Sequence, residues 1–422
     1  MTAARDPVPG AVAAGRPAGV GPVGVGFGAG AAAGGGSGAG AAGGTAAGGG
    51  SGAGAAGGTR MLREIVEQPV ALRRTLDALL PRVPEIAALA DRTRQVLFVA
   101  RGSSDNAAVY GRYLCEVRGG RLATLASPSI ATLYRRRLDL DGVLAVGLSQ
   151  SGRTAEIVET LGWARDCGAV TVAVTNEAGS PLAAGADLAL VTAAGPELAL
   201  PATKTYTAQL AALAVLALGL SDSDGTADRE FRAALRRAPD AVEALLGLAG
   251  AADELAAELT GVRGVVVSGR GFASSTALEL ALKFKETCYL NAAGLSYADL
   301  LHGPIAVVGA DTPAVLVAAD SGPVLAGVVA LAHRVTDAGA RAYGIGGGPE
   351  LAAACDRALA GPPLPEEVAP LALVVPGQLV VEALARRLGI DPDAPRGLRK
   401  ITQTDPAAGG ESTIDAGAAR PT

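Results

Sequence analysis

The chain has 422 residues, 49% of them apolar by type, with 3% aromatic and a formal net charge of −5. That length accommodates two or three domains with large cores, and so few aromatics predict interiors of Ala, Val and Leu packed in α/β layers. The acidic balance and the lack of a dense Lys/Arg cluster exclude tracking of a nucleic-acid backbone, leaving a small anion as the expected partner.

Residues 1–60 are rich in Gly and Ala, and GGGSGAGAAGGT at Gly34–Thr45 recurs unchanged at Gly48–Thr59. Such a segment buries too little apolar surface to offset its ordering entropy, so it is expected to be disordered and dispensable for function. It lacks the apolar core of a signal peptide. No apolar run in the chain reaches the roughly 20 residues of a membrane span. The methionines are Met1 and Met61, and patterned sequence begins at Met61. The first 60 residues therefore read as an upstream extension.

From Arg63 to Leu80, Ile65, Val66, Val70, Leu72 and Leu76 recur near helical spacing. Val96–Ala100, Val143–Leu148 and Val170–Val174 then read as strands, each followed by a turn and a helix. This βαβ series predicts a parallel sheet with helices on both faces. A polar run at Ser221–Thr226 marks a linker, and the pattern starts again. VVVSGRG at Val265–Gly271 mirrors LFVARG at Leu97–Gly102, and VLVAADSG at Val315–Gly322 mirrors AVGLSQSG at Ala145–Gly152. Gly339-Ala340 before Ala342–Ile345 likewise mirrors Gly168-Ala169 before Val170–Val174. Three landmarks, each displaced by about 170 residues, predict a duplicated α/β fold.

Two turns carry chemistry. Arg101-Gly102-Ser103-Ser104-Asp105-Asn106 precedes a helix at Ala107–Cys115, and Ser149-Gln150-Ser151-Gly152-Arg153-Thr154 precedes one that begins near Ala155. Hydroxyl side chains and Gly at a strand-to-helix turn suit an anion at a helix N-terminus, and parallel strands bring such turns to one sheet edge. Ordinary N-capping is the plainer explanation of either turn alone, and the occurrence of two in one half-sheet favours a phosphate site. Neither turn has the spacing of a nucleotide-binding loop.

Along the predicted helix Ala277–Tyr289, Glu279, Lys283 and Glu286 fall on one stripe. The stripe is either a solvated ion-pair ladder or a carboxylate held beside an ammonium for proton transfer. His302-Gly303-Pro304 ends a short helix, whereas His333 lies on the amphipathic segment Val328–Val335 and reads as structural. Cys115, Cys167, Cys288 and Cys355 are scattered and the histidines are only two, so no metal, disulfide or bound cofactor is expected, and free thiols fit a reducing cytoplasm.

Six segments in order, RGSS, SQSGRT, ATKTYTAQL (Ala202–Leu210), ALELALKFKE (Ala277–Glu286), LHGP (Leu301–Pro304) and PRGLRKITQT (Pro395–Thr404), together resemble the SIS sugar-phosphate isomerases and deaminases. The entry segment Met61–Pro69 resembles the isomerase half of glucosamine-6-phosphate synthase. The resemblance implies two tandem flavodoxin-like SIS domains at 61–226 and 227–390 and a C-terminal segment at 391–422 that covers the active site. It implies phosphate and sugar contacts from Ser103, Ser104, Ser149, Gln150, Ser151 and Thr154. Glu286 is implied as the base that moves a proton between C1 and C2, with Lys283 beside it. His302, implied to open the sugar ring, would reach the site from the neighbouring subunit of a homodimer, and Lys400 would form a Schiff base with the ketose. The synthase's glutaminase domain has no counterpart, Arg153 stands in place of an acidic residue and Ala202 in place of a serine. These departures shift the expectation to glucosamine 6-phosphate deamination. Alternatives are a deglycase or aldose–ketose isomerase on a related N-substituted sugar phosphate, and a non-catalytic sugar-phosphate sensor.

Overall fold

The computed structural model describes residues 58–221 and 225–400. The expected disorder of residues 1–57, three linker residues (222–224) and the motif residues 401–404 lie outside the described residues. No helix among the described residues is long and apolar enough to cross a membrane.

The opening helical stretch is two helices, Arg60–Val66 and Gln68–Leu79. Pro69 sits in the first turn of the second, where its missing N–H costs nothing, and the chain breaks just before it. Thr59 caps the first helix: its Oγ1 accepts from the Leu62 N–H at 3.0 Å and donates to Glu382 Oε1 at 2.8 Å. The ordered fold thus includes Thr59. Thr59→Ala is expected to lower stability by about 1 kcal/mol, read from denaturant midpoints; an unchanged midpoint would show the cap to be idle.

Two five-stranded parallel sheets follow. The first contains β1 (Gln95–Val99), β2 (Ala123–Leu125), β3 (Val143–Leu148), β4 (Val170–Thr175) and β5 (Leu188–Val191), in the order β2-β1-β3-β4-β5. The second contains β6 (Gly264–Gly269), β7 (Asn291–Ser296), β8 (Ala314–Ala318), β9 (Ala342–Gly346) and β10 (Arg357–Leu359), in the order β10-β9-β8-β6-β7. Counted from the first strand of each, both orders are 2-1-3-4-5. The duplication expected from sequence is therefore a duplication of topology, and each sheet reverses direction between its first and third strands, where α/β crevices form.

The lobes meet through helices that are apolar all round. Every residue of Lys204–Gly219 is buried, as are Pro370–Ala385 of the helix Pro370–Arg387. A helix without a polar face belongs in a core. Both pack in one cluster with Ser103–Gly119 from the first lobe and Ala273–Cys288 from the second. The first of these begins at the predicted site and the second brings its C-terminal half, with Lys283 and Glu286, to it, so the inter-lobe core fixes its geometry.

Candidate active site

A cavity of about 400 Å³ opens at the carboxyl edge of the first sheet, at its β1/β3 switch point. Ser103, Ser104, Ser149, Gln150, Ser151 and Thr154 line it from the first lobe, Lys283 and Glu286 from the second, and Lys400 from the C-terminal segment. The structure thus brings nine of the ten expected residues together. His302 is the exception: it is the exposed C-cap of the helix Tyr297–Leu301 and does not line this cavity.

The hydroxyls do not act as helix caps. The cap of Ser103–Gly119 is Gly102, and Thr154, at the cap of Ala155–Asp166, makes no side-chain capping bond. The capping alternative therefore fails for both turns. Ser149 Oγ instead accepts from the Gly152 N–H at 3.1 Å and lies 3.3 Å from Thr154 Oγ1, while Ser151 Oγ accepts from the Arg153 N–H at 3.3 Å. These bonds wrap the loop so that its hydroxyls and Gln150 face the cavity. Gly152 makes the wrap possible, with φ at +61° and no room for a Cβ against Ser180. Ser104 is oriented by the buried Gln209, whose Nε2 donates to its Oγ at 3.0 Å. Ser149→Ala with Ser151→Ala is expected to raise KM for phosphorylated sugars about tenfold or more, since hydrogen bonds to a charged group are worth about 1.5–3 kcal/mol. Equal losses for unphosphorylated analogues would remove the phosphate role.

The second lobe contributes the charges. Its helix Ala273–Cys288 starts earlier than the spacing suggested and carries Glu279, Lys283 and Glu286. The solvated-ladder reading is overturned, because Glu279 is 0% and Lys283 1% exposed. The stripe faces the first lobe across the junction. Asn106 Nδ2 donates to Glu279 Oε2 at 2.9 Å. Lys283 Nζ lies 3.4 Å from Glu279 Oε1 and 2.5 Å from Glu286 Oε2. Burial would neutralise this ammonium, but the two carboxylates outweigh it and hold the lysine charged, above its usual range. Glu286, whose side chain is 22% exposed, reaches the cavity together with Lys283, whereas Glu279 does not line it.

Three further cavity residues escaped sequence reasoning. Arg101 forms a two-pronged pair with Glu156, at 2.8 and 3.0 Å, that braces the first turn. Arg399 lines the mouth next to Lys400. Glu197 lies in the loop before the helix Lys204–Gly219, far in sequence from anything it touches in the C-terminal segment; its Oε2 accepts from Lys400 Nζ at 3.0 Å. No local pattern marks it.

The matching crevice of the second lobe, between β6 and β8, keeps Ser321 in the place of Ser151 but not the other groups. Phe272 and Ala273 stand where the first lobe has Ser103 and Ser104, and Ala319, Asp320 and Val324 replace Ser149, Gln150 and Thr154. The Glu366 carboxylate fills the space over Gly322, where a Cβ would collide with it. Among the described residues no group of three or more His, Cys, Asp or Glu side chains is placed to hold a metal ion.

Residues 89–219 and 258–387, one stretch in each lobe, match the model of the SIS domain. The chain belongs to the SIS family. A curated relative, the glutamine--fructose-6-phosphate aminotransferase [isomerizing] of Symbiobacterium thermophilum, is 37% identical over 359 residues, covering 81% of this chain and 58% of that protein. The chain spans a little over half the length of the curated relatives it matches. Among solved structures, a putative phosphosugar isomerase from Silicibacter pomeroyi superposes with a TM-score of 0.71 at 35% identity, over 79% of this chain and all of that one. The C-terminal domain of glucosamine-fructose-6-phosphate aminotransferase from Francisella tularensis gives 0.72 at 26% identity, over 80% and 98% of the respective chains. The tandem flavodoxin-like SIS fold read from the motifs is thereby established.

Proposed function

We propose that this SIS protein is a sugar-phosphate isomerase of the deaminating kind, converting glucosamine 6-phosphate and water to fructose 6-phosphate and ammonia. The observation that carries the reading is the convergence, in one cavity, of a hydroxyl-rich anion seat, the Lys283–Glu286 pair and Lys400. Relatives named for isomerising a ketose phosphate and a structural neighbour named as a phosphosugar isomerase support the substrate class.

In this scheme the turns at Ser103–Ser104 and Ser149–Thr154 hold the phosphate. Once the ring is open, Glu286 takes the proton from C2 and returns it to C1 while a second proton passes from the amine nitrogen to O1, leaving a hydroxyl at C1 and an imine at C2. Lys283, whose Nζ donates to Glu286 Oε2, orients that carboxylate for the task. Lys400 attacks the imine carbon and expels ammonia, and water then releases the ketose and restores the amine. Ring opening falls to the partner's His302 in a homodimer with shared sites, which accounts for its exposure on its own chain.

A coupled assay of ammonia and ketose release across amino-sugar 6-phosphates tests the reading. Equal yields of both from glucosamine 6-phosphate are expected. Activity confined to N-substituted sugars would transfer the assignment to a deglycase, and no turnover of any member would end it.

A further inference from the structure

We infer that Glu197 is a positioning residue that latches the C-terminal segment over the cavity by holding the ammonium of Lys400. The inference depends on the proposed function only for its consequence in catalysis; the latch itself is a matter of structure.

Glu197 is fixed before Lys400 arrives. It accepts from the Thr203 N–H at 2.9 Å, the Thr205 N–H at 3.1 Å and the Thr205 hydroxyl at 2.6 Å, all within its own loop and the helix start that follows. Its side chain is 0% exposed. A carboxylate in such a place needs a counter-charge, and Lys400 Nζ supplies it. Burial would raise the Glu197 pKa, but Lys400 and the Thr205 and Thr203 donors outweigh it and hold the group ionised, below its usual range. The same ammonium donates to the Ala199 carbonyl at 2.5 Å, so two of its three protons are committed to one loop.

The contact ties the segment to the cavity wall. Residues 396–399 are exposed, and upstream of Lys400 this stretch is held at Tyr289, whose hydroxyl accepts from the Arg396 N–H at 2.8 Å and whose ring stacks under its guanidinium. Lys400 is an anchor of this stretch at the cavity. An ammonium paired in this way is no nucleophile. It must leave Glu197 before it attacks, so the latch couples closure of the segment to a lysine whose donors are committed to the Glu197 loop.

The test is limited trypsin digestion of the full chain without sugar, following cleavage after Arg399. Glu197→Gln keeps the side-chain shape but not the charge, and Lys400→Met removes the other partner. Each is expected to speed that cleavage about tenfold or more, and the double variant no further, because both break one contact. An unchanged rate in Lys400→Met, or single effects that multiply in the double variant, would overturn the latch. Should Glu197→Gln fail to fold, Lys400→Met decides alone, since it leaves the Glu197 loop intact. Because no substrate is present, the outcome stands apart from the ammonia-release assay.

Discussion

Glu286→Gln is expected to lower turnover by about 10²–10⁴-fold, the usual cost of removing a general base, with little change in substrate binding. Gln keeps the size of the side chain and can still accept from Lys283 Nζ, now 2.5 Å from Glu286 Oε2. It cannot take up the C2 proton. Exchange of that proton with deuterated water should occur in the wild type and vanish in the variant. Glu279 sits on the same stripe yet is no inert control. It is fully buried and joins the lobes through Asn106, so Glu279→Gln is expected to act on stability, weakening the counter-charge of a buried lysine. Should Glu286→Gln keep more than roughly a tenth of wild-type turnover, above the range for a lost general base, a sugar-phosphate sensor becomes the better description.

Mixing two inactive chains, Glu286→Gln and His302→Ala, is expected to restore activity. In a two-fold dimer with shared sites, a mixed pair has one site carrying both defects and one carrying neither. Random exchange of equal amounts then yields roughly a quarter of wild-type activity from chains that have almost none alone. The expectation rests on the placement of His302, which is exposed and does not line the cavity containing Glu286. If the mixture stays inactive after subunit exchange is verified, His302 acts within its own chain or not at all.

The parts of this molecule legible in the sequence are those specified locally. The turns after β1 and β3 announce themselves because Gly and hydroxyl residues must stand where a strand gives way to a helix, and two of the three repeated landmarks fall at such boundaries. The spacing of Glu279, Lys283 and Glu286 was equally plain. Their burial was not, since periodicity describes one helix and says nothing of the Ser103–Gly119 and Pro370–Arg387 helices packed against it. Glu197 lay further out of reach, because its partners in its own loop look like ordinary turn residues and its counter-ion, Lys400, arrives from the other end of the chain. The opening stretch shows the same limit in small: helical spacing ran straight through Glu67, and only the position of Pro69 hinted that two helices meet there.

The Glu366 carboxylate over Gly322 makes the two copies of the fold unequal in a way that cannot be undone by rearranging the chain. Under the proposed function, a protein built from two first lobes would have two anion seats and no Glu286, and one built from two second lobes would repeat Glu286 without Ser104, Ser149 and Thr154. Each half has become an obligate complement of the other. Under the proposed function, a change of anion preference belongs to the first lobe and a change of proton transfer to the second, and the Asn106–Glu279 hydrogen bond is where the two halves are held to each other.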